Sequence, residues 1–180
     1  MTEKHNLSEV LIATPEDARG IKEISYYSWL ATYPNEKEGI TLDDIKERLK
    51  NALSEEKIAE KARQISNSED ERYLVVKDSD KPVGYCHVKK YPDRNQLHAI
   101  YILPEYLGQG IGTKLWDEAK KFFDPTKDTK VEVATYNKNA INFYRKLGFK
   151  DTERVFTDEK LRMNSGSIIT ETEMIIKAGN

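Results

Sequence analysis

The stretch of sequence that decides the fold is Ile100-Tyr101-Ile102-Leu103-Pro104-Glu105-Tyr106-Leu107-Gly108-Gln109-Gly110-Ile111-Gly112-Thr113. Its apolar start predicts a strand, its three alternating glycines predict a turn, and the residues that follow predict a helix. Glycine permits positive φ angles and places no side chain between the backbone amides and a ligand. Because amides at a helix N-terminus carry about half a positive charge, the turn is typical of a phosphate-binding site.

Two common phosphate-binding motifs do not fit this turn. A P-loop ends in Gly-Lys-Ser or Gly-Lys-Thr, whereas here the order is Gly112-Thr113-Lys114. A dinucleotide-binding fingerprint counted from Gly108 needs a glycine where Thr113 stands, and it belongs to the opening strand–helix–strand unit of a fold. On these residues alone, a glycine-rich turn without a ligand remains the alternative.

The remaining sequence predicts a mixed sheet around this turn. An apolar run at 9–13 predicts the first strand, and Thr14-Pro15 carry the N-terminal signals of a helix. Residues 29–39 predict an aromatic loop, and residues 41–65 predict one or two amphipathic helices with a break near Ser54. Further strands are predicted at 73–76, 83–88, 97–103, 130–135, 154–156 and 168–177, and further helices at 110–123 and 139–147. The expected fold class is α/β, with a mixed sheet of about seven strands and helices on both faces.

Composition predicts a single domain over residues 1–180 that needs no disulfide or metal to fold. The chain has 29 Lys and Arg against 31 Asp and Glu, so there is no basic excess for nucleic acid or an anionic membrane. Cys86 is the single cysteine, which excludes an internal disulfide framework and fits a reducing compartment. Since no apolar run approaches the roughly 20 residues of a membrane span and the N-terminus lacks a signal-peptide core, the expected location is cytoplasmic.

Two segments together resemble the GNAT acetyltransferase superfamily. Leu107-Gly108-Gln109-Gly110-Ile111-Gly112 resembles its coenzyme A-binding motif, Gln/Arg-x-x-Gly-x-Gly/Ala. Asn137-Lys138-Asn139-Ala140-Ile141-Asn142-Phe143-Tyr144-Arg145-Lys146-Leu147-Gly148-Phe149 resembles a second signature, Asn-x-x-Ala-x-x-x-Tyr followed by Leu-Gly-Phe. Leu107 departs from the pattern, because the family usually places Arg or Gln there near the pyrophosphate. Affinity for the cofactor is therefore expected to depend on the backbone amides of 108–113.

The resemblance implies an acetyl-CoA-dependent N-acetyltransferase of the GNAT fold, with acetyl-CoA as cosubstrate and no metal. Tyr144 corresponds to the usual proton donor to the leaving thiolate, although its spacing alone predicts a packed aromatic residue. Asn137 corresponds to a cofactor contact, although it could serve only near a helix N-cap. The expected cofactor-binding residues are Ile100, Ile102, Gly108, Gln109, Gly110, Ile111, Gly112, Thr113, Asn137 and Tyr144.

Two residues are alternative acceptors for the proton of the amine substrate. Strand alternation places His98 on the same face as Ile100 and Ile102, and the strand is similar to the histidine-bearing strand of family members that act on arylalkylamines. Glu132 lies five residues before Asn137, where acetyltransferases of ribosomal proteins carry a catalytic Glu. The choice between His98 and Glu132 stays open.

The expected acceptor is a small amine, such as a polyamine or an arylalkylamine. Trp29 and Tyr33 fall where the family borders its acceptor site, and aromatic faces and nearby carboxylates attract ammonium groups. The alternatives are a protein N-terminal or lysine acetyltransferase and a non-catalytic acyl-CoA-binding regulatory module. Family members are often dimers, so the resemblance allows a homodimer, which no segment of the sequence decides.

Overall fold

A computed structural model describes residues 6–65 and 68–179. These residues form a mixed sheet of seven strands in the order β1-β2-β3-β4-β5-β7-β6, in which β4 and β5 run parallel and all other neighbours antiparallel. The strands are β1 Leu11–Ile12, β2 Glu71–Asp78, β3 Lys81–Lys90, β4 Asn95–Ile102, β5 Thr129–Ala134, β6 Lys150–Arg162 and β7 Ile168–Ile176. The helices are α1 Ala18–Thr32, α2 Leu42–Leu49, α3 Glu55–Gln64, α4 Ile111–Ala119 and α5 Lys138–Lys146. The predicted mixed sheet is confirmed.

Helices cover both faces of the sheet, as the sequence predicts. Gly84 and Tyr85 are neighbours on β3 and therefore face opposite sides. A Cβ on Gly84 would lie 2.9 Å from Ile111 of α4, whereas the Tyr85 hydroxyl lies 2.8 Å from the Ser25 hydroxyl of α1. One side of the sheet is therefore the α4 side, and the other is the α1 side.

The parallel pair β4–β5 is short, and its two strands separate. Asn95 to Leu97 pair with Thr129 to Val131, and beyond these three pairs the described residues of the two strands are no longer in register. The closed end is held by the buried Asn95 side chain, whose amide nitrogen donates to the Asp124 carbonyl oxygen at 2.9 Å. The strands diverge from this point toward the glycine turn and open a cleft in the middle of the sheet.

A β-bulge at His98 corrects one prediction. Leu97 pairs with Val88 and Ala99 pairs with His87, so His98 is an extra residue on β4. A bulge reverses the alternation of side chains that follow it. His98 stacks on His87 with ring centroids 4.7 Å apart, which places it on the α1 side. The prediction that His98 shares a face with Ile100 and Ile102 is therefore wrong.

The aromatic segment at 29–39 is also corrected. Helix α1 continues to Thr32, so Trp29 is helical, and Tyr33 is the C-cap residue rather than part of a long loop. Tyr33 still has helical dihedral angles, and the helix ends there because Pro34 has no backbone N–H to donate to the Leu30 carbonyl oxygen. The predicted break near Ser54 is confirmed, since the Ser54 hydroxyl accepts from the Lys57 amide and begins α3.

Helix α4 is shorter than the predicted range 110–123. It begins after Gly110 and ends at Ala119, and turns lead from there to Pro125. Within the described ranges, no helix combines the length and the apolar character needed to cross a bilayer.

Candidate active site

The glycine turn leaves open space above its backbone. Gly108 and Gly110 both have φ of +78°, and a Cβ on either would find no described atom within 4 Å. Their role is therefore to permit the backbone conformation and to keep the amides at the start of α4 uncovered. Gly112 differs, because a Cβ there would lie 3.0 Å from the Phe143 ring of α5. The third glycine serves the close approach of α4 and α5.

The turn opens into a cleft of about 700 Å³ between the separated strands. It is lined by β4, β5, the C-terminal end of α1, the glycine turn and the start of α5. The predicted site residues that line it are Tyr33, His98, Ile100, Ile102, Gly108, Gly110, Ile111, Gly112, Thr113, Glu132, Asn137 and Tyr144. Gln109 and Trp29 are not among the lining residues. The predicted site, drawn from segments more than 100 residues apart in sequence, thus converges on one cleft.

Tyr144 presents a protonated phenol to the cleft. Its side chain on α5 is 7% exposed and packs on Phe149, with ring centroids 5.7 Å apart. Burial, followed by the influence of Tyr101 and Cys86, raises the Tyr144 pKa well above its usual value. Its hydroxyl makes no hydrogen bond within the described part of the chain, and Tyr144 is one of the residues that line the cleft. Tyr144 can therefore donate its proton to a group bound there.

Asn137 satisfies both interpretations of its sequence position. It is the N-cap residue of α5, and its side-chain oxygen accepts from the Ala140 amide at 3.1 Å. It also lines the cleft. Since capping uses the amide oxygen, the side-chain NH₂ group still has two donors for a ligand.

Three tyrosines, Tyr33, Tyr101 and Tyr136, line the α1 side of the cleft and form its aromatic wall. The hydroxyls of Tyr33 and Tyr101 lie 2.9 Å apart, and burial raises the pKa of both. Trp29 lies behind this wall, with its ring 4.3 Å from that of Tyr33. The Tyr136 hydroxyl donates to the Tyr33 carbonyl oxygen at 3.0 Å. The sequence does not predict that Tyr101 and Tyr136 line the cleft, because neither residue belongs to a motif that assigns a role to its side chain.

The two predicted proton acceptors both line the cleft from the α1 side. Desolvation lowers the His98 pKa, opposed by the charge of Glu71, and the Tyr91 hydroxyl lies 3.3 Å from His98 Nε2. Glu132 is exposed on β5. Its neighbour Ala134, two residues along and so on the same face, packs in a cluster that includes Tyr33.

Other reactive groups do not join the cleft chemistry. Cys86 is fully buried on β3, and burial raises its pKa, so the nucleophilic thiolate is not populated near neutral pH. Within residues 6–65 and 68–179, no group of three His, Cys, Asp or Glu side chains could hold a metal ion.

A sequence model of the Acetyltransferase (GNAT) family matches residues 40–149, which is more than half of the chain. The protein belongs to the GNAT acetyltransferase family. The matched range begins before α2 and ends after α5, so it includes the glycine turn, both separated strands and Tyr144.

Several curated GNAT relatives resemble the chain. An uncharacterised N-acetyltransferase of Methanocaldococcus jannaschii is 32% identical over 48% of this chain and 42% of its own length. The peptidyl-lysine N-acetyltransferase YjaB of Salmonella typhimurium is 34% identical over 48% of this chain and 55% of its own length. The chain thus spans about half the length of these two relatives. The spermidine N(1)-acetyltransferase of Thermoplasma acidophilum is 25% identical over 75% of this chain and 83% of its own length.

Solved GNAT structures share the whole fold. The PaiA N-acetyltransferase of Thermoplasma acidophilum, solved in complex with coenzyme A, is similar with a TM-score of 0.69 and 25% identity, and covers 93% of this chain and 98% of that chain. A GNAT acetyltransferase of Streptococcus pneumoniae has a TM-score of 0.68 at 20% identity over 96% of this chain and 99% of its own. The second likeness concerns the fold alone.

Proposed function

We propose that this protein transfers the acetyl group of acetyl-CoA to a primary amine of a small cationic molecule of the polyamine class. The observation that carries the proposal is that open glycine amides, two separated strands and the Tyr144 hydroxyl share one cleft. Membership of the GNAT family supports the reaction type. The spermidine-acetylating relative, which aligns over three quarters of the chain, supports the polyamine class.

The residues of the cleft fit a coenzyme A thioester. The uncovered amides from Gly108 to Thr113 would bind its pyrophosphate, which suits the absence of any Cβ contact above Gly108 and Gly110. The pantetheine arm of the cofactor would lie along Ile100 and Ile102 on β4, beside Asn137. When bound, acetyl-CoA supplies an activated acyl group and a thiolate leaving group.

Two proton transfers remain for the protein. An alkylamine has a pKa near 10, so at neutral pH nearly all of it is ammonium and lacks the lone pair needed for attack. His98 and Glu132, which line the cleft from the α1 side, are the two candidates that the sequence offers for that proton. For the second transfer, Tyr144 would donate its phenolic proton to the departing sulfur. Its raised pKa keeps the hydroxyl protonated, and the hydroxyl makes no hydrogen bond within the described part of the chain.

A thiol-release assay with a panel of acceptors tests the proposal. The panel contains spermidine, free amino acids, an aminoglycoside and a short lysine-containing peptide, and acetyl-CoA binding is measured by calorimetry in parallel. We expect release of coenzyme A thiol with spermidine at the highest kcat/KM.

The outcomes of this assay separate three functions. Preferred turnover of the peptide would contradict the small-molecule acceptor and favour a protein acetyltransferase, the activity named for the YjaB relative. Binding of acetyl-CoA without thiol release from any amine would contradict catalysis and favour an acyl-CoA-binding regulatory module. Failure to bind acetyl-CoA would contradict the proposal altogether.

A further inference from the structure

Glu171 is a half-buried carboxylate on β7 that no sequence motif marks. In the register between β5 and β7, Glu171 lies opposite Ala134, and Glu173 lies opposite Glu132. Since residues two apart on a strand share a face, all four project from the same side of the sheet. Ala134 packs in the cluster that includes Tyr33. Glu171 therefore lies on the α1 side. It is not itself among the residues that line the cleft, but it is the diagonal cross-strand neighbour of Glu132, which is.

The two carboxylates of β7 differ in their partners. Glu173 is paired with Lys130 of β5 and with Arg154 of β6, each at 3.0 Å. Glu171 makes no side-chain hydrogen bond or ion pair with the residues that the structure describes. Removing a carboxylate from water without a partner is costly, so such a group favours its protonated form or a bound cation.

The two charged groups that act on Glu171 are both carboxylates. Burial, followed by the charges of Glu132 on β5 and Asp158 on β6, raises the Glu171 pKa to about 7. Glu171 in turn contributes to the raised pKa values of Tyr33, at the end of α1, and Tyr101, on β4. Because both tyrosines line the cleft, Glu171 exerts its charge on the space that a cationic acceptor would occupy.

On the basis of the proposed function, we propose that Glu171 receives the proton that the acceptor ammonium loses before attack. Because Glu171 does not itself line the cleft, the proton passes to it through one water molecule. The ammonium N–H bond breaks, its electron pair stays on the nitrogen and attacks the thioester carbonyl carbon, the water takes that proton, and a proton of the same water forms the new O–H bond on a Glu171 carboxylate oxygen. The C–S bond then breaks, and the departing sulfur takes the Tyr144 proton. An arriving ammonium favours the ionised carboxylate, so Glu171 enters the reaction able to accept a proton.

The competing acceptors are less suited to this step. His98 is held in a ring stack with His87, 4.7 Å between centroids, and desolvation lowers its pKa. Glu132 is exposed, so water screens its interaction with a cation. Glu171 is unpaired and has a pKa near the working pH, where proton acceptors are most effective. The role of Glu132 is then electrostatic, through the like charge that it places beside Glu171.

The test compares Glu171→Gln with Glu173→Gln, using spermidine as acceptor and a pH profile of kcat and kcat/KM. Glu173 is the matched control because it is the same residue type on the same strand and face, with its charge already paired. We expect wild type to show an acidic limb with its midpoint near pH 7. We expect Glu171→Gln to lose that limb and to fall in kcat/KM at pH 7 by about 10²-fold or more. Glu171→Asp is expected to restore the limb in part.

Control measurements separate a chemical role from a structural one. Glu173→Gln should keep the acidic limb, and both variants should bind acetyl-CoA with the affinity of wild type by calorimetry. An acidic limb that persists in Glu171→Gln, or that is lost equally in Glu173→Gln, would overturn the role of Glu171 while the proposed function stands. If wild type releases no thiol with any amine, the proposed function fails, and the role of Glu171 fails with it.

Discussion

Single residues of the glycine turn have separable tasks. Gly110→Ala should weaken acetyl-CoA binding by at least about tenfold, because the new Cβ would project into the open space above the amides. The same change imposes backbone strain of roughly 1–2 kcal/mol, since φ is +78°. Gly148→Ala is the matched control: Gly148 also has positive φ and open space, but does not line the cleft. Calorimetry measures the affinity and thermal unfolding measures the stability of both variants. Equal losses of affinity would contradict binding of the cofactor phosphates by the amides of the glycine turn.

The Tyr144 hydroxyl should be needed for turnover but not for cofactor binding. Tyr144→Phe should lower kcat by about 10²–10⁴-fold and leave acetyl-CoA affinity unchanged, because only a protonated hydroxyl is removed. The fold should hardly change, since that hydroxyl has no partner in the described chain. Tyr106→Phe, which removes a hydroxyl 2.9 Å from Asp78 outside the cleft, controls for a general effect on the protein. Wild-type kcat in Tyr144→Phe would remove Tyr144 from the proton transfer.

Sequence motifs predict sites that the backbone forms better than they predict which side chains pair with one another. The turn could be predicted because a glycine spacing is a local pattern, whereas the site roles of Asn137 and Tyr144 follow only from the resemblance of their segment to a GNAT signature. Glu171 and Glu173 stand in the alternating run Thr-Glu-Thr-Glu, which is the same for both. Only the register with β5 and β6 shows that one carboxylate is paired and the other is not.

In strand β4, the regular alternation of side chains between the two faces leads to a wrong prediction. A strict period of two would place His98 beside Ile100, but one extra residue on β4 moves it to the opposite face. A bulge depends on how β3 pairs with β4, so no pattern within β4 reveals it. At the end of α1, Pro34 and Gly39 predict a loop over residues 29–39, but the helix continues to Thr32 because no glycine or proline stands at 29–33.

Helix α2 should influence binding of the acceptor through Arg48. Arg48 on α2 donates to the carbonyl oxygens of Lys160 and Arg162 and lies over the Trp29 ring, 5.2 Å from its centroid. It therefore ties α2 and β6 to the residue that supports the aromatic wall. Arg48→Ala should raise the acceptor KM by roughly tenfold, or about 1.4 kcal/mol, and leave the KM for acetyl-CoA unchanged.

The control for Arg48 is another arginine that joins two elements. Arg19 forms an exposed ion pair with Glu55 at 2.7 Å, away from the cleft, and Arg19→Ala should change neither KM. Steady-state kinetics with both substrates varied make the comparison. A rise in both KM values in Arg48→Ala would indicate a general loss of structure rather than a local effect on the acceptor side.

For the whole molecule, the sheet could be predicted but its opening could not. Strand patterns and the glycine turn are sufficient for a mixed sheet with a crossover through α4. The length over which β4 and β5 stay paired depends on tertiary contacts, such as the buried Asn95 side chain bonding to the Asp124 carbonyl oxygen. The cleft therefore results from how the two halves of the sheet are held together at one end.

Two half-buried groups on the same side of this sheet, His87 and Glu171, should make stability depend on pH in opposite directions. Burial, together with the charge of His98, lowers the His87 pKa to about 4 despite the Glu71 carboxylate 2.7 Å from its ring. The unfolded histidine titrates near 6.5, so below pH 6.5 the unfolded state binds more protons and stability falls as the pH drops toward 4. Glu171, with a pKa of about 7 against 4.5 when unfolded, binds more protons in the folded state, so its ionisation lowers stability as the pH rises from 4.5 to 7.

Between pH 4.5 and 6.5 these two contributions oppose each other, so removing either one should reveal the other. Relative to wild type, Glu171→Gln should become more stable as the pH rises through this window, whereas His87→Gln should become less stable. Each slope is at most about 1.4 kcal/mol per pH unit, because one proton is involved. Urea unfolding at several pH values measures the slopes, and a constant loss of stability from either substitution does not affect them. Slopes that match wild type in both variants would show that neither group titrates differently on folding, because linkage allows no pH-dependent stability without a difference in bound protons.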